Sequence, residues 1–132
     1  MSRVVHFEIH ASQPARLIEF YGALLGWKFA QPMPGYWQID TGRGAKPGID
    51  GGLIQRRGPA ATGGQPLNAF LCTVEVEALD ATLARALALG ATLALPKMAI
   101  PGVGWLAYVK DPDENLLGLS QPDPTASAAA AS

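Results

Sequence analysis

Polar and apolar side chains alternate near the start of the chain. Val5, Phe7 and Ile9 fall on one side of an extended backbone, and His6, Glu8 and His10 on the other, because successive strand residues point to opposite faces. This pattern predicts a strand over Val4 to Ile9. Ser12 then stands where it can cap a helix, with Pro14 in the first turn, where a missing N–H does little harm. Leu17, Phe20, Tyr21 and Leu24 recur at helical spacing, and Gly26 supplies the left-handed residue that commonly ends a helix. Turn residues next divide the chain into short strand-like pieces: Trp27 to Ala30, Gly35 to Thr41, and Gly51 to Gln55.

The second half repeats this plan. Phe70 to Val76 reads as a strand, Leu79, Leu83 and Leu87 share a helical face, and Gly90 is the stop. Thr92 to Leu95, Trp105 to Val109 and Leu116 to Gln121 follow as strands. Self-similarity of this kind governs the whole fold assignment. Gly26 aligns with Gly90, and Gly52-Leu53-Ile54-Gln55 aligns with Gly118-Leu119-Ser120-Gln121. The repeated Gly-Leu-x-Gln is thus the last strand of each βαβββ module. The expected organisation is α+β: a single domain over 1–121 built from modules 1–56 and 68–121. Joining them is a Gly/Pro-rich linker, 57–67, with the composition of a flexible crossover. The tail 122–132, ending in ASAAAAS, reads as disordered.

Composition narrows the function classes. A chain of 132 residues, 48% apolar and 16% charged, suits one globular core. Ten basic against eleven acidic residues, with no basic run, argue against a nucleic-acid partner. No apolar stretch approaches the ~20 residues of a membrane span, and Met1-Ser2-Arg3 leads into a strand without a signal peptide's apolar core. A cytoplasmic protein with no membrane partner is expected. The single cysteine, Cys72, lies in Ala69-Phe70-Leu71-Cys72 and reads as a buried small hydrophobe, with a reactive thiol the lesser alternative. Nucleophile-elbow, phosphate-loop, CxxC and HExxH motifs are absent, and Asp111-Pro112-Asp113-Glu114-Asn115 reads as a turn.

The segments ARLIEFYGALLGW (15–27), LDATLARALALGA (79–91) and WLAYVKDPDENLLGL (105–119), set in two βαβββ units, resemble the vicinal-oxygen-chelate superfamily. That group includes glyoxalase I, the extradiol dioxygenases and the bleomycin-resistance proteins. The resemblance runs from about Val4 to about Gln121. It implies a curved mixed sheet whose concave face forms a ligand cavity, commonly in a homodimer. It also implies metal ligands, typically His and Glu, on the first and last strands of each half. His6 matches the first-strand position, but its counterpart is Leu71, and the two last-strand positions fall on Gly52 and Gly118. The turn's usual glycine is replaced by Glu114. Catalytic metal centres need about three convergent protein ligands, so neither a metal nor another cofactor is expected. A sparse site of His6 and Glu8, completed by Glu75 or water, is the lesser alternative.

These positions define the candidate site: His6, Glu8, Trp37, Gly52, Leu71, Trp105, Tyr108 and Gly118. His6 with Glu8 forms the candidate acid/base pair, although Glu8 and His10 are equally readable as solvent-facing strand residues. Trp37 and Trp105, each following a glycine, are read as equivalent in the two modules. They either sandwich a planar ligand or fill the core. Gly52 and Gly118 either deepen a pocket floor or mark close backbone approach. The leading expectation is a metal-independent protein binding a small, partly aromatic organic molecule. The alternative is a metal-dependent lyase or dioxygenase-like enzyme acting on a small oxygenated substrate. A third possibility is a domain whose main role is subunit association.

Overall fold

A computed structural model describes residues 3–42, 44, 46–60 and 70–128. The chain divides into two compact units, each one βαβββ module. The first contains β1 (Phe7–Ala11), α1 (Pro14–Leu25), β2 (Lys28–Met33), β3 (Tyr36–Asp40) and β4 (Gly51–Gln55). In the second are β5 (Thr73–Glu75), α2 (Leu79–Ala88), β6 (Thr92–Ile100), β7 (Gly104–Lys110) and β8 (Leu116–Pro122). Each unit forms a four-stranded mixed sheet, ordered β1-β4-β3-β2 in one and β5-β8-β7-β6 in the other. The first and last strands of each unit pair in parallel, and the remaining pairs are antiparallel. No helix among the described residues is long and apolar enough to cross a membrane.

Apolar faces of the helices and sheets make the core. In the first unit Leu17, Phe20 and Tyr21 of α1 are buried together with Ile39 and Leu53 of the sheet. The Tyr21 ring stacks on Trp27 at 5.2 Å, and Phe7 lies 5.5 Å from Trp27. Phe7, Ile9 and Ala11 therefore define the helix-facing side of β1. In the second unit Leu79 and Ala86 of α2 are buried, as are Trp105, Ala107 and Val109 of β7 and Leu117 and Leu119 of β8. Each fully buried Leu or Val of this kind contributes on the order of 1.5–3 kcal/mol.

Several local expectations are corrected. The N-cap of α1 is Gln13, without a side-chain cap bond; Ser12 Oγ instead accepts from Arg56 Nε at 3.1 Å. Gly26 does end the helix in the left-handed conformation, with φ 74°. On α2 the buried stripe runs through Leu79 and Ala86, and Leu87 is 47% exposed. At 3.6 residues per turn a position seven residues on returns to the same face more closely than one eight on. The strand expected over 70–76 is only Thr73–Glu75, and Cys72, just before this short edge strand, is exposed rather than buried. Residues 122–128 are not a frayed tail. Asp123 N–H donates to Val103 O, Gly102 N–H donates to Ala126 O, and Ala126 is buried. Most of the expected linker, 61–67, lies outside the described residues.

The doubled glutamine has a structural role in both units. Gln55 Nε2 donates to Ala11 O and Ser12 O at 3.2 and 3.3 Å, tying the end of β4 to the end of β1. Gln121 Oε1 accepts from the Leu79 N–H at 2.7 Å. That N–H belongs to the first turn of α2, whose donors have no partner within the helix. The N-cap Ala78 makes no side-chain cap bond, so a glutamine 42 residues away supplies one.

Candidate ligand cavity

Strand register arranges the side chains on the face of the first sheet opposite α1. Glu8 pairs with Gly52, Gly52 with Gln38, and Gln38 with Ala30, making one row across all four strands. The neighbouring row runs through His10, Ile54, Tyr36 and Met33. On the other flank Lys28 pairs with Asp40, and continuing the registers by one residue adds Asp50 and His6. In the middle row Gly52 has no side chain and Ala30 has a single methyl.

A cavity of about 480 Å³ opens over this region, with polar lining from His6, Lys28, Tyr36, Gln38, Asp40 and Asp50. That volume falls within the range of small-molecule sites, roughly 300–1,000 Å³. His6 Nε2 lies 3.7 Å from Glu8 Oε2, with each side chain about half exposed. Asp50 Oδ1 accepts from the Thr41 N–H at 2.9 Å and its hydroxyl at 3.2 Å, and Asp40 Oδ1 accepts from the Gly42 N–H at 2.9 Å. Loop N–H groups thus orient both carboxylates at one end of the cavity.

Tyr36 lies across Gly52. A Cβ built on Gly52 would stand 2.6 Å from the Tyr36 Oη and 2.7 Å from its Cε2. The glycine therefore makes room for the phenol rather than leaving a deeper floor. The corresponding contact in the second unit involves Gly118, where a Cβ would stand 2.5 Å from Thr73 Oγ1 and 3.3 Å from Cys72 O. Thr73 pairs with Gly118 as Glu8 pairs with Gly52, so Leu71, two residues earlier and half-buried, is the counterpart of His6. Tyr108 also pairs with Gly118, on the side of β7 opposite its buried residues.

Of the two alternatives for the tryptophans, the structure favours core packing over a ligand sandwich. Trp37 pairs with Leu53, on the helix-facing side of β3 shared with buried Ile39. Trp105 is 7% exposed, on the side of β7 that carries Ala107 and Val109. Its Nε1 donates to Asp123 Oδ2 at 3.0 Å, and Lys97 Nζ sits 4.7 Å above its ring. Nor are the two equivalent: Trp105 pairs with Gln121, whose counterpart Gln55 bonds Gly35, so the match is displaced by two residues. Both tryptophans belong to core faces. Tyr36, Lys28, Gln38, Asp40 and Asp50 went unrecognised as cavity residues. The register linking the strand of His6 to its neighbours was the signal that could have found them.

A divalent metal of the kind the superfamily resemblance implies does not fit these residues. In the first unit the last-strand position has no side chain, and the phenol of Tyr36 covers it. In the second unit the equivalent positions hold Leu71 and a glycine pressed against Thr73. Among the described residues no group of three or more His, Cys, Asp or Glu side chains is placed to hold an ion. Glu75, the supplementary ligand considered for His6 and Glu8, belongs to no such group.

The sequence matches the model of the glyoxalase-like domain family over residues 6–120. The chain belongs to that family, and so to the vicinal-oxygen-chelate superfamily. Among solved structures, it is similar to a glyoxalase-related enzyme from Fulvimarina pelagi, with 20% identity, a TM-score of 0.69, and 96% of this chain and 98% of that one covered. A glyoxalase/bleomycin resistance protein/dioxygenase family enzyme from Burkholderia phytofirmans PsJN aligns at 18% identity and TM-score 0.68, over 89% and 97% of the two chains. The fosfomycin resistance protein FosX from Mesorhizobium loti aligns at 14% identity and TM-score 0.68, over 93% and 94%. At these identities the likeness is one of fold. No curated protein matches the sequence.

Proposed function

We propose that this glyoxalase-like protein is a metal-independent binder of a small, partly aromatic organic molecule, acting by sequestration in the cavity of its first unit. We place it in the cytoplasm as a homodimer. The observation that carries this reading is Tyr36 lying over Gly52, where the superfamily pattern calls for a carboxylate ligand. Removing that carboxylate, and having Leu71 and Gly118 at the equivalent places of the second unit, leaves too few donors for a catalytic ion. What remains is a mixed lining that includes the aromatic residues Phe29 and Tyr36, two carboxylates, a carboxamide, an ammonium and an imidazole. Such a lining suits a ligand with a planar apolar part and hydrogen-bonding substituents.

The test is to purify the protein without added metal, strip it with EDTA, and identify small molecules released on denaturation by mass spectrometry. An organic compound that rebinds equally well with and without EDTA is the expected result. One tightly bound transition metal per chain would rule the reading out.

One observation favours a second reading. The 3.7 Å His6–Glu8 pair, whose imidazole lines the cavity, has the composition of a general acid/base couple. His6→Ala would abolish any turnover that depends on it; unchanged turnover in that variant would leave this enzymatic reading without support.

A further inference from the structure

Gly52 and Tyr36 together explain a feature that neither explains alone. Tyr36 stands on β3 opposite Ile54, yet its hydroxyl end reaches sideways over β4 to Gly52, diagonal to it in the sheet. Oη, Cε2 and Cζ of the ring all lie within 2.9 Å of where a Cβ on Gly52 would be. A side chain at position 52 would therefore push the phenol off the sheet. With glycine there, the Oη–Cε2 edge of the ring closes on the backbone of β4, and Tyr36 lines the cavity together with Lys28, Gln38 and Asp40. Tyrosine is suited to this task, since it offers a large rigid surface with only two side-chain torsions to fix.

We propose that Tyr36, seated edge-on against Gly52, is the specificity-determining residue of the cavity and selects ligands bearing a planar aromatic ring, which packs against the phenol ring. Polar substituents of such a ligand meet the row of Lys28, Asp40 and His6 at the end of the cavity, which offers both donors and acceptors. This assignment rests on the binding reading above and adds the recognition element and the ligand class. It also moves the aromatic contact from Trp37 and Trp105, which belong to the core faces, to a residue on the cavity face.

The experiment uses a pair of probes differing in planarity but little in size or polarity: p-cresol and 4-methylcyclohexanol. Each is titrated by NMR into the full-length, EDTA-treated protein. Ring stacking adds about two- to tenfold in affinity beyond the area buried, so p-cresol should bind tighter by roughly that factor. Tyr36→Leu, which keeps apolar bulk but removes the ring, should abolish the preference, while Tyr36→Phe should retain it. Gly52→Ala leaves the tyrosine in the chain and displaces its ring, so it should lose the preference as Tyr36→Leu does. This variant separates stacking from a merely structural role of Tyr36, and it keeps the test decisive if Tyr36→Leu folds poorly. Equal binding of the two probes by the wild type, or a preference that survives in Gly52→Ala, would overturn the assignment while leaving metal-free binding intact. Failure of either probe to bind would overturn the assignment as well. Binding that appears only when a divalent metal is added would overturn both it and the reading on which it rests.

Discussion

Glu114 has a backbone φ of 69°, in the left-handed region, and is the only non-glycine residue there among those described. The turn that demands it is built by Asp111, whose Oδ1 accepts from the N–H groups of Asp113 and Asn115 at 2.8 and 3.0 Å. A side chain with a Cβ is strained in this conformation, and the half-exposed Lys110–Glu114 pair at 3.7 Å gives back little. Glu114→Gly should accordingly exceed Glu114→Ala in stability by about 1 kcal/mol, since both lack the ion pair and only alanine retains the strain. Equal denaturation midpoints for the two variants would refute this. Asp123 supplies a second test. Hydrogen bonds from the Thr125 side chain, then from the Trp105 indole, lower its pKa below the ordinary 3.8. A lowered folded-state value means that the carboxylate stabilises the fold above its unfolded pKa and loses that effect as pH falls through the folded one. The stability difference between wild type and Asp123→Asn should be constant above about pH 5 and shrink in stronger acid; a difference that grows on acidification would contradict it. Residues such as Gly26 were legible from sequence, because their conformational demand is local. Gly52 was not, because the atom that requires glycine there belongs to Tyr36, on another strand.

Secondary-structure elements were legible where a single period runs unbroken. β4, β8 and α1 stand close to their expected limits because alternation and helical spacing are strong over those spans and glycine or proline bounds them. The faces of the strands were less legible. Shifting a strand by one residue exchanges its two sides, and nothing within β3 distinguishes Tyr36 from Trp37 as the ring on the cavity side. Cross-strand pairing decides it: Trp37 meets Leu53 on the core side, and Gln38 meets Gly52 on the other. The start of α2 shows a similar dependence on distant chain. With no capping side chain of its own, the helix relies on Gln121 of β8 to accept the Leu79 N–H. Gln121→Ala should cost about 1 kcal/mol, and hydrogen exchange should show the loss concentrated in the first turn of α2. Uniform loss of protection across both units would mean that the glutamine acts through something other than this contact.

For the whole molecule, the two-module plan is plain from the repeat and the family from the resemblance of segments 15–27, 79–91 and 105–119, but a scaffold that hosts many chemistries does not carry its chemistry with it. The decisive property is whether the folded chain has any preferred divalent cation. Linkage makes this measurable without knowing the ligand: a metal that binds only the native state at a hundredfold excess over its Kd stabilises by about 2.7 kcal/mol. For a chain of 132 residues, that corresponds to a rise in Tm of roughly 10 °C. With glycine at both last-strand positions and leucine at the second-unit counterpart of His6, the donor count predicts no such rise. Zinc, nickel, manganese or iron(II), added in turn to EDTA-treated protein, should each leave Tm within about 1 °C, far below the shift a real site produces. His6→Ala should behave identically, because a lone imidazole with one neighbouring carboxylate adds little affinity. If one metal raised Tm by many degrees and His6→Ala removed the effect, the donor set would be larger than Gly52, Leu71 and Gly118 permit, and an enzymatic role would replace sequestration.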